Sequence, residues 1–384
     1  MVIFVFLIIL ATLILSHELG HFSVAKLFGI RVDEFGFGFP PKLFSFKKGE
    51  TSYSINLLPL GGFVKIFGED PTNEIVEKKH EDFERSLYHK PKYIQAAVIV
   101  AGVFFNMILA WFALSGGFMA GLPVPVGFTS LGPTPESSKL LITEVFPGSP
   151  ADVASLRSGY NIVYMKAGDD SVNKLGPEEI SNFISSHGDE EIIVGYKVPK
   201  KTGLLSDMGL SPLDYNEDIK TTAVVPTLGV VEGRPGIGIA MDQVGILRLS
   251  FFKAVYAGLI GTGALLFATV SGLLHFIFGL FDGASVTASV SGPIGLIGII
   301  ASATEFGLPY LLALVAFISV NLAVLNLVPF PALDGGRLLF LLVESVIRRP
   351  LNPKIVNALN VSGFVFLLLL MLLVTYGDII KLIS

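Results

Sequence analysis

Two imidazoles and a carboxylate lie within five consecutive residues near the start of the chain, in the segment His17-Glu18-Leu19-Gly20-His21. Residues four apart share one face of a helix, so both histidines can bind the same metal ion. Glu18 lies beside them and can take a proton from a water on that ion. The types and spacing of these residues therefore predict a zinc site with its own general base.

A third ligand is predicted at Asp334, because a zinc site with an open coordination position has three protein ligands. Pro329 and Pro331 must break the helix before it, and irregular backbone at membrane depth is tolerated where it lines a site. Local turn chemistry alone would also allow a plain exit turn here. The chain has no cysteine, which excludes thiolate ligands. The remaining histidines are poorer candidates and are predicted to be structural or solvated: His80, His89, His187 and His275.

These residues belong to a chain whose composition predicts a polytopic membrane protein. Apolar residues make up 52% and charged residues 15% of its 384 positions, whereas soluble domains carry about 25% charged residues. The mean hydropathy is +0.68. An ordinary cytosolic enzyme and a disordered chain are excluded on this basis. The net charge of -5 also disfavours a nucleic-acid partner.

Four apolar segments are each long enough to cross a hydrocarbon core of roughly 30 Å. They cover about residues 2–28, 93–122, 308–328 and 356–376. No basic residue precedes the first segment and no cleavage site follows it, so a retained helix is expected rather than a signal peptide. A fifth segment, 254–281, is long enough on hydropathy alone.

Basic residues near the span ends predict the orientation in the membrane. They cluster between the first two spans and between the last two, so these loops are predicted to be cytoplasmic and both termini extracytoplasmic. His17 then lies about 22 Å along its span, and Asp334 reaches that depth only if residues 254–281 do not cross. Four spans are therefore predicted, with 254–281 on the surface or re-entrant. The basic residues are Lys26, Arg31, Lys90 and Lys92 in the first loop, and Arg348, Arg349 and Lys354 in the last.

Short alternating segments separated by turn residues predict a β-rich domain between about residues 123 and 242. Strands are predicted at 141–145, 192–196 and 220–225, residues 156–163 are predicted to lead into another strand, and a helix is predicted at 178–186. The region resembles a permuted bacterial PDZ domain, although Tyr160 stands where that family usually has Asp. The resemblance implies peptide docking or gating at a sheet edge, while a β-rich spacer without a ligand stays open. The resemblance to a PDZ domain rests on Val145-Phe146-Pro147-Gly148-Ser149-Pro150-Ala151 and Leu156-Arg157-Ser158-Gly159.

The chain as a whole resembles the site-2 protease family of intramembrane zinc metalloproteases, and most closely the bacterial regulators of sigma-factor release that carry a PDZ domain. The matching segments follow the family's order and span nearly the whole chain: residues 17–21, 36–38, 59–64, 292–295 and 326–336.

This resemblance implies a role for each of several residues. It implies that His17, His21 and Asp334 bind Zn²⁺ and that Glu18 activates the water. It implies a membrane-associated β-hairpin after Gly38, and the alternating residues around the polar turn 47–52 agree with one. An exposed edge of that hairpin would suit an unwound substrate strand. The residues implied to position or stabilise the substrate are Asn326, Pro329 and Pro331.

The predicted fold is a polytopic α-helical membrane protein with four transmembrane helices, an inserted β-rich PDZ-like domain and a membrane-associated β-hairpin. Residues 1–122 form the N-terminal membrane half, 123–245 the extracytoplasmic PDZ-like domain, 246–305 interfacial or re-entrant apolar helices, and 306–384 the C-terminal membrane half. The expected location is the inner (cytoplasmic) membrane.

The predicted activity is intramembrane zinc proteolysis of single-span proteins already trimmed on the outer side, such as anti-sigma factors or signal-peptide remnants. The expected partners are these substrates, the lipid bilayer and a peptide ligand of the PDZ-like domain. Three alternatives stay open: a membrane zincin that cuts soluble peptides, a PDZ-bearing membrane scaffold with a structural metal site, and a metal transporter. A transporter would need acidic or histidine residues in several spans, and the sequence has almost none outside the one cluster.

Overall fold

The computed structural model describes residues 2–69, 82–125, 138–173, 176–200, 214–231, 234–281 and 292–383. The elements named below are those of the described residues, numbered in chain order. The helices are α1 (Val2–Leu27), α2 (Lys92–Ala120), α3 (Pro150–Val153), α4 (Pro177–Ser186), α5 (Phe251–Phe281), α6 (Pro293–Glu305), α7 (Leu308–Leu327), α8 (Asp334–Ile347) and α9 (Pro353–Ile383). The strands are β1 (Val32–Lys48), β2 (Thr51–Ile66), β3 (Leu122–Pro125), β4 (Ser138–Val145), β5 (Asn161–Ala167), β6 (Asp170–Val172), β7 (Ile192–Lys197), β8 (Lys220–Val224), β9 (Thr227–Val231), β10 (Arg234–Gly236) and β11 (Ile239–Leu247).

Among the described residues, five helices are long and apolar enough to cross a membrane: α1, α2, α5, α7 and α9. Three of them, α1, α2 and α7, coincide with predicted spans to within a few residues, and α9 contains the fourth predicted span and extends beyond it at both ends. The fifth, α5, raises the number of candidates above the predicted four. It is one continuous helix of 31 residues, so the chain does not turn back within it. Length and composition define these five candidates.

The β-hairpin predicted after the first span is present and is longer than expected. β1 and β2 pair antiparallel, with residues 42–48 against 51–56 and residues 32–37 against 62–66. Phe35 and Gly36 also have partners in the 51–56 half of β2. The first half of β1 therefore lies inside the sheet, and residues 62–66 of β2 form one edge of it.

The hairpin is anchored to the membrane helices by a small apolar core. Ile30 and Val32 follow α1 directly and are fully buried, as is Ala25 in its last turns. They pack with buried residues of β2 and with Val98 of α2. The end of α1, the hairpin and the start of α2 are therefore one packed assembly.

The middle region forms the predicted β-rich domain. Its main sheet has the strand order β3-β11-β4-β5-β7-β8, and β6 pairs with β5. α4 lies on this sheet because Ile180 and Ile184, four residues apart, share one buried face. The predicted helix and strands are confirmed as secondary structure to within a few residues. The buried core comprises Leu140, Ile142, Ala151, Leu156, Ile162, Met165, Ala167, Ile180, Ile184, Ile192, Val194, Tyr196, Val224 and Ile237.

By its internal contacts the chain divides into two compact units. One contains Met1–Val2, Ala113–Ile260 and Gly298–Leu314, and so holds the β-rich domain. The other contains Ile3–Phe112, Gly261–Ile297 and Val315–Ser384, and so holds the hairpin and the residues of the predicted zinc site.

Candidate metal centre

Two glycines allow α1 and α2 to approach closely at the level of the histidines. A Cβ on Gly20 would lie 2.3 Å from the carbonyl oxygen of Ala101, and a Cβ on Gly102 would lie 2.4 Å from Nε2 of His21. Small residues at such positions let membrane helices pack backbone against backbone. The imidazoles of His17 and His21 therefore lie directly over the backbone of α2.

The three predicted ligands meet at one point. Nε2 of His17 lies 3.1 Å from Nε2 of His21. Oδ2 of Asp334 lies 3.0 Å from Nε2 of His17 and 3.3 Å from Nε2 of His21. Ligand atoms about 2.0–2.1 Å from a tetrahedral zinc ion are roughly 3.3 Å apart, so these separations match a shared ion.

The hydrogen bonds of these side chains also fit a bound cation. Nδ1 of His21 donates to the carbonyl oxygen of Val98 at 2.8 Å, which leaves Nε2 with a free lone pair. Oδ2 of Asp334 is buried and accepts no hydrogen bond. Electron-rich atoms at this spacing repel one another unless a cation lies between them. The donor set, two imidazoles and a carboxylate, is one that zinc prefers.

A broken turn places Asp334 at this point. α7 ends at Leu327 and α8 begins at Asp334, as the two prolines of this segment predict. Gly335 and Gly336 follow at once, and a Cβ on either would lie 2.2 Å from a carbonyl oxygen of the turn. Ala332 adopts a left-handed φ of 75°, and its N–H donates to Oδ1 of Asn360 at 3.2 Å. Only glycine fits where α8 folds back against the turn.

The residues implied to position a substrate lie at the end of α7 and in the turn before α8. Asn326 is half-buried in the last turn of α7, Pro329 is exposed, and Pro331 packs under α9. A Cβ on Gly363 of α9 would lie 2.5 Å from the carbonyl oxygen of Pro331. The cavity described next is lined, from this segment, by Ala332 and Asp334. The roles of Asn326, Pro329 and Pro331 stay predictions.

A cavity of about 1270 Å³ opens beside the ligand cluster. Glu18 lines it together with both histidines and Asp334. The edge residues 62–66 of β2 line it as well. Gly62 brings this edge against α1, because a Cβ there would lie 2.6 Å from Ile14 and 3.2 Å from Cγ of Glu18. The sheet edge, the carboxylate and the ligands thus border one space.

Two features of the site were not predicted from the sequence. Arg337 of α8 forms an ion pair with Glu69, just after β2, and both residues line the cavity. Asn106 of α2 is fully buried beside His17. The available signal for Asn106 was its type, because a polar side chain inside an apolar span is a functional hypothesis by default.

A ligand cluster of this kind on apolar helices is typical of membrane-embedded metallopeptidases, and the comparisons with known proteins agree with that class. The family model Peptidase family M50 matches residues 5–370. A relative from Clostridium perfringens is 33% identical over 374 residues, covering 97% of each chain. Zinc metalloprotease RasP of Geobacillus kaustophilus is 29% identical, covering 98% of this chain and 97% of its own. Regulator of sigma-W protease RasP of Bacillus subtilis is 29% identical, covering 98% of both.

The chain therefore belongs to Peptidase family M50, the site-2 protease family. It is a zinc metalloprotease, and its cofactor is Zn²⁺. Its apolar helices make it a multi-pass membrane protein.

Proposed function

We propose that this protease cuts single-span membrane proteins within the bilayer after their outer portion has been removed. Anti-sigma-factor-like proteins and signal-peptide remnants are the expected substrates, and the reaction is a step of regulated intramembrane proteolysis. The observation that carries this proposal is the position of the ligand cluster. His17 and His21 lie two-thirds of the way along an apolar helix long enough to span a membrane.

In this proposal His17, His21 and Asp334 hold the zinc ion, and Glu18 is the general base. Zinc, when bound, polarises the scissile carbonyl and lowers the pKa of a bound water to about 7. Glu18 accepts a proton from that water and returns it to the departing amine. Gly62 keeps the base against the sheet edge, and Asn326, Pro329 and Pro331 position or stabilise the substrate.

The edge of β2 provides a site for the substrate backbone. A peptide bond within a transmembrane helix is shielded by the helix's own hydrogen bonds, so the substrate must unwind before it is cut. Residues 62–66 pair with β1 on one side and line the cavity on the other. An unwound segment that pairs with this edge regains its backbone hydrogen bonds next to the ligands.

The β-rich domain is proposed to act as a PDZ-like filter on the extracytoplasmic side. This proposal rests on the motif-based resemblance of residues 145–151 and 156–159 and on the β-rich fold of the domain. A domain of this kind would exclude substrates that still carry a bulky outer portion and would admit trimmed ones. Both termini would lie on this same side.

Cleavage of matched reporters tests the proposal. Single-span reporters with a short or a folded outer portion would be incubated in liposomes with the wild type, Glu18→Gln and Glu84→Gln. Glu84 is an exposed glutamate outside the cavity and serves as the matched control. We expect the wild type and Glu84→Gln to cut the short reporter inside its span, as product masses would show.

Metal removal separates the enzyme from its alternatives. Chelation should abolish cleavage, and added Zn²⁺ should restore it in the wild type but not in Glu18→Gln. Glu18→Gln should still bind zinc and reporter, because the ligands are intact. Stable binding without any cut, in every trimmed reporter, would favour a PDZ-bearing scaffold with a structural metal site. Cuts only in soluble or surface peptides would favour the membrane zincin.

A further inference from the structure

Asn106 is a fully buried amide within the apolar helix α2. Burying a polar side chain without a hydrogen bond costs free energy in a protein interior and more at membrane depth. The backbone at this residue is also fixed, because Oγ of Ser319 on α7 donates to its carbonyl oxygen at 2.8 Å. An amide held so firmly in this setting needs a partner.

The nearest partner is a zinc-ligand candidate. Nδ2 of Asn106 lies 3.4 Å from Nδ1 of His17, and Oδ1 of the same amide is buried without a hydrogen bond. Oxygen and nitrogen of an amide are interchangeable by a 180° rotation of the group. Either atom of the amide can therefore face Nδ1 of His17.

Metal binding decides which atom does so. When Nε2 of His17 binds a metal, Nδ1 carries the proton and requires an acceptor. His21 already has one in the carbonyl oxygen of Val98. For His17 the matching acceptor is Oδ1 of Asn106, which has no other hydrogen bond.

We propose that Asn106 is a positioning residue for the zinc site, whose side-chain oxygen accepts the Nδ1 proton of His17 and directs Nε2 toward the metal. The inference rests on the ligand roles in the proposed function. α2 thus orients both histidines, one through a side-chain amide and one through a backbone carbonyl. Gly102, between these two contact points, gives the imidazoles room to lie against the helix.

Equilibrium zinc affinity of the purified full-length chain in detergent tests this proposal, measured by competition with a chromogenic chelator. Asn106→Leu removes the acceptor at similar volume and should weaken zinc binding about 10- to 100-fold, as loss of such a partner does elsewhere. Asn106→Asp retains an acceptor and should bind zinc within about threefold of the wild type or more tightly. Asn321→Leu is the matched control, because the side chain of Asn321 donates to the carbonyl oxygen of Phe317 within its own helix, α7.

Three outcomes would overturn the proposal: unchanged zinc affinity in Asn106→Leu, equal weakening in Asn321→Leu, or a loss of about tenfold or more in Asn106→Asp. The last would mean that the amide N–H, not its oxygen, serves His17. If Asn106→Leu does not fold, Asn106→Asp alone decides. Affinity is read without substrate, so failure of the cleavage assay would leave this result intact. Loss of zinc binding in His17→Ala verifies that the measured ion is the one at this site.

Discussion

At the scale of single residues, Gly102 tests how closely the ligands depend on the packing of α1 against α2. A methyl group there would lie 2.4 Å from Nε2 of His21 and 2.7 Å from Cε1 of His17. Gly102→Ala should therefore displace both imidazoles, weaken zinc binding at least about tenfold and destabilise the protein by about 1–3 kcal/mol. Zinc titration and thermal unfolding in detergent would measure the two effects.

Gly263→Ala is the control for this substitution. Gly263 lies in the apolar helix α5, where an added Cβ meets no atom within 4 Å. It should leave zinc affinity unchanged and should not lower stability, because alanine is a better helix former than glycine. If Gly102→Ala behaves in the same way, the imidazoles are not held against α2 as the structure indicates.

The sequence reveals ligands more readily than the residues that orient them. His17 and His21 could be predicted because a helix alone places residues four apart on one face. Asp334 could be predicted because the prolines before it must end a helix. Asn106 and Gly102 depend on the register between α1 and α2, which no local pattern encodes. Their roles appear only when the helices are packed.

At the scale of elements, the hairpin illustrates the same limit. The alternating residues on either side of the polar turn 47–52 predicted a hairpin, and residues 43–46 and 53–56 are confirmed as parts of β1 and β2. The edge at 62–66 was not predicted, because Pro59, Gly61 and Gly62 are typical of a turn. Gly62 is there for another reason, since the strand passes directly against α1. Close approach of two elements can thus resemble a turn in the sequence.

Asp378 links α9 to the start of α6 and allows a prediction about stability. Its buried carboxylate accepts hydrogen bonds from the N–H groups of Gly292 and Gly295 at 2.8–3.2 Å. It therefore supplies from another helix the acceptor that an N-cap side chain would provide. Asp378→Asn removes the charge and one acceptor oxygen and should lower the free energy of unfolding by about 1–3 kcal/mol. Thermal or denaturant unfolding in detergent would measure this change.

Thr375→Val, in the same helix α9, is the control for this substitution. Oγ1 of Thr375 donates to the carbonyl oxygen of Met371, within α9 itself. Its removal should change stability by much less than Asp378→Asn does. An equal decrease in the free energy of unfolding in the two variants would mean that the hydrogen bonds from Asp378 to α6 do not stabilise the protein.

At the scale of the whole molecule, helix directions bear on the number of spans. α2 and α7 run antiparallel, because Asn106 meets Ser319 while Gly117, further along α2, meets Pro309 at the start of α7. The end of α2 and the start of α7 therefore lie on the same side of the membrane. A single crossing by α5 between them would place them on opposite sides, and among the described residues α6, at about 20 Å, is too short to cross back. We therefore expect four spans, although five helices of the described residues are long enough to cross.

Labelling of single cysteines would decide between these topologies, and the native chain has no cysteine to interfere. Arg349, exposed between α8 and α9, is cytoplasmic if α5 does not cross and extracytoplasmic if it does. We expect Arg349→Cys to react with a membrane-impermeant maleimide only after permeabilisation, as Glu84→Cys in the first loop should. Asp218→Cys in the β-rich domain should react in intact cells under either topology. Reaction of Arg349→Cys in intact cells would mean that α5 spans the membrane, and the ligand depth inferred from four spans would then be wrong.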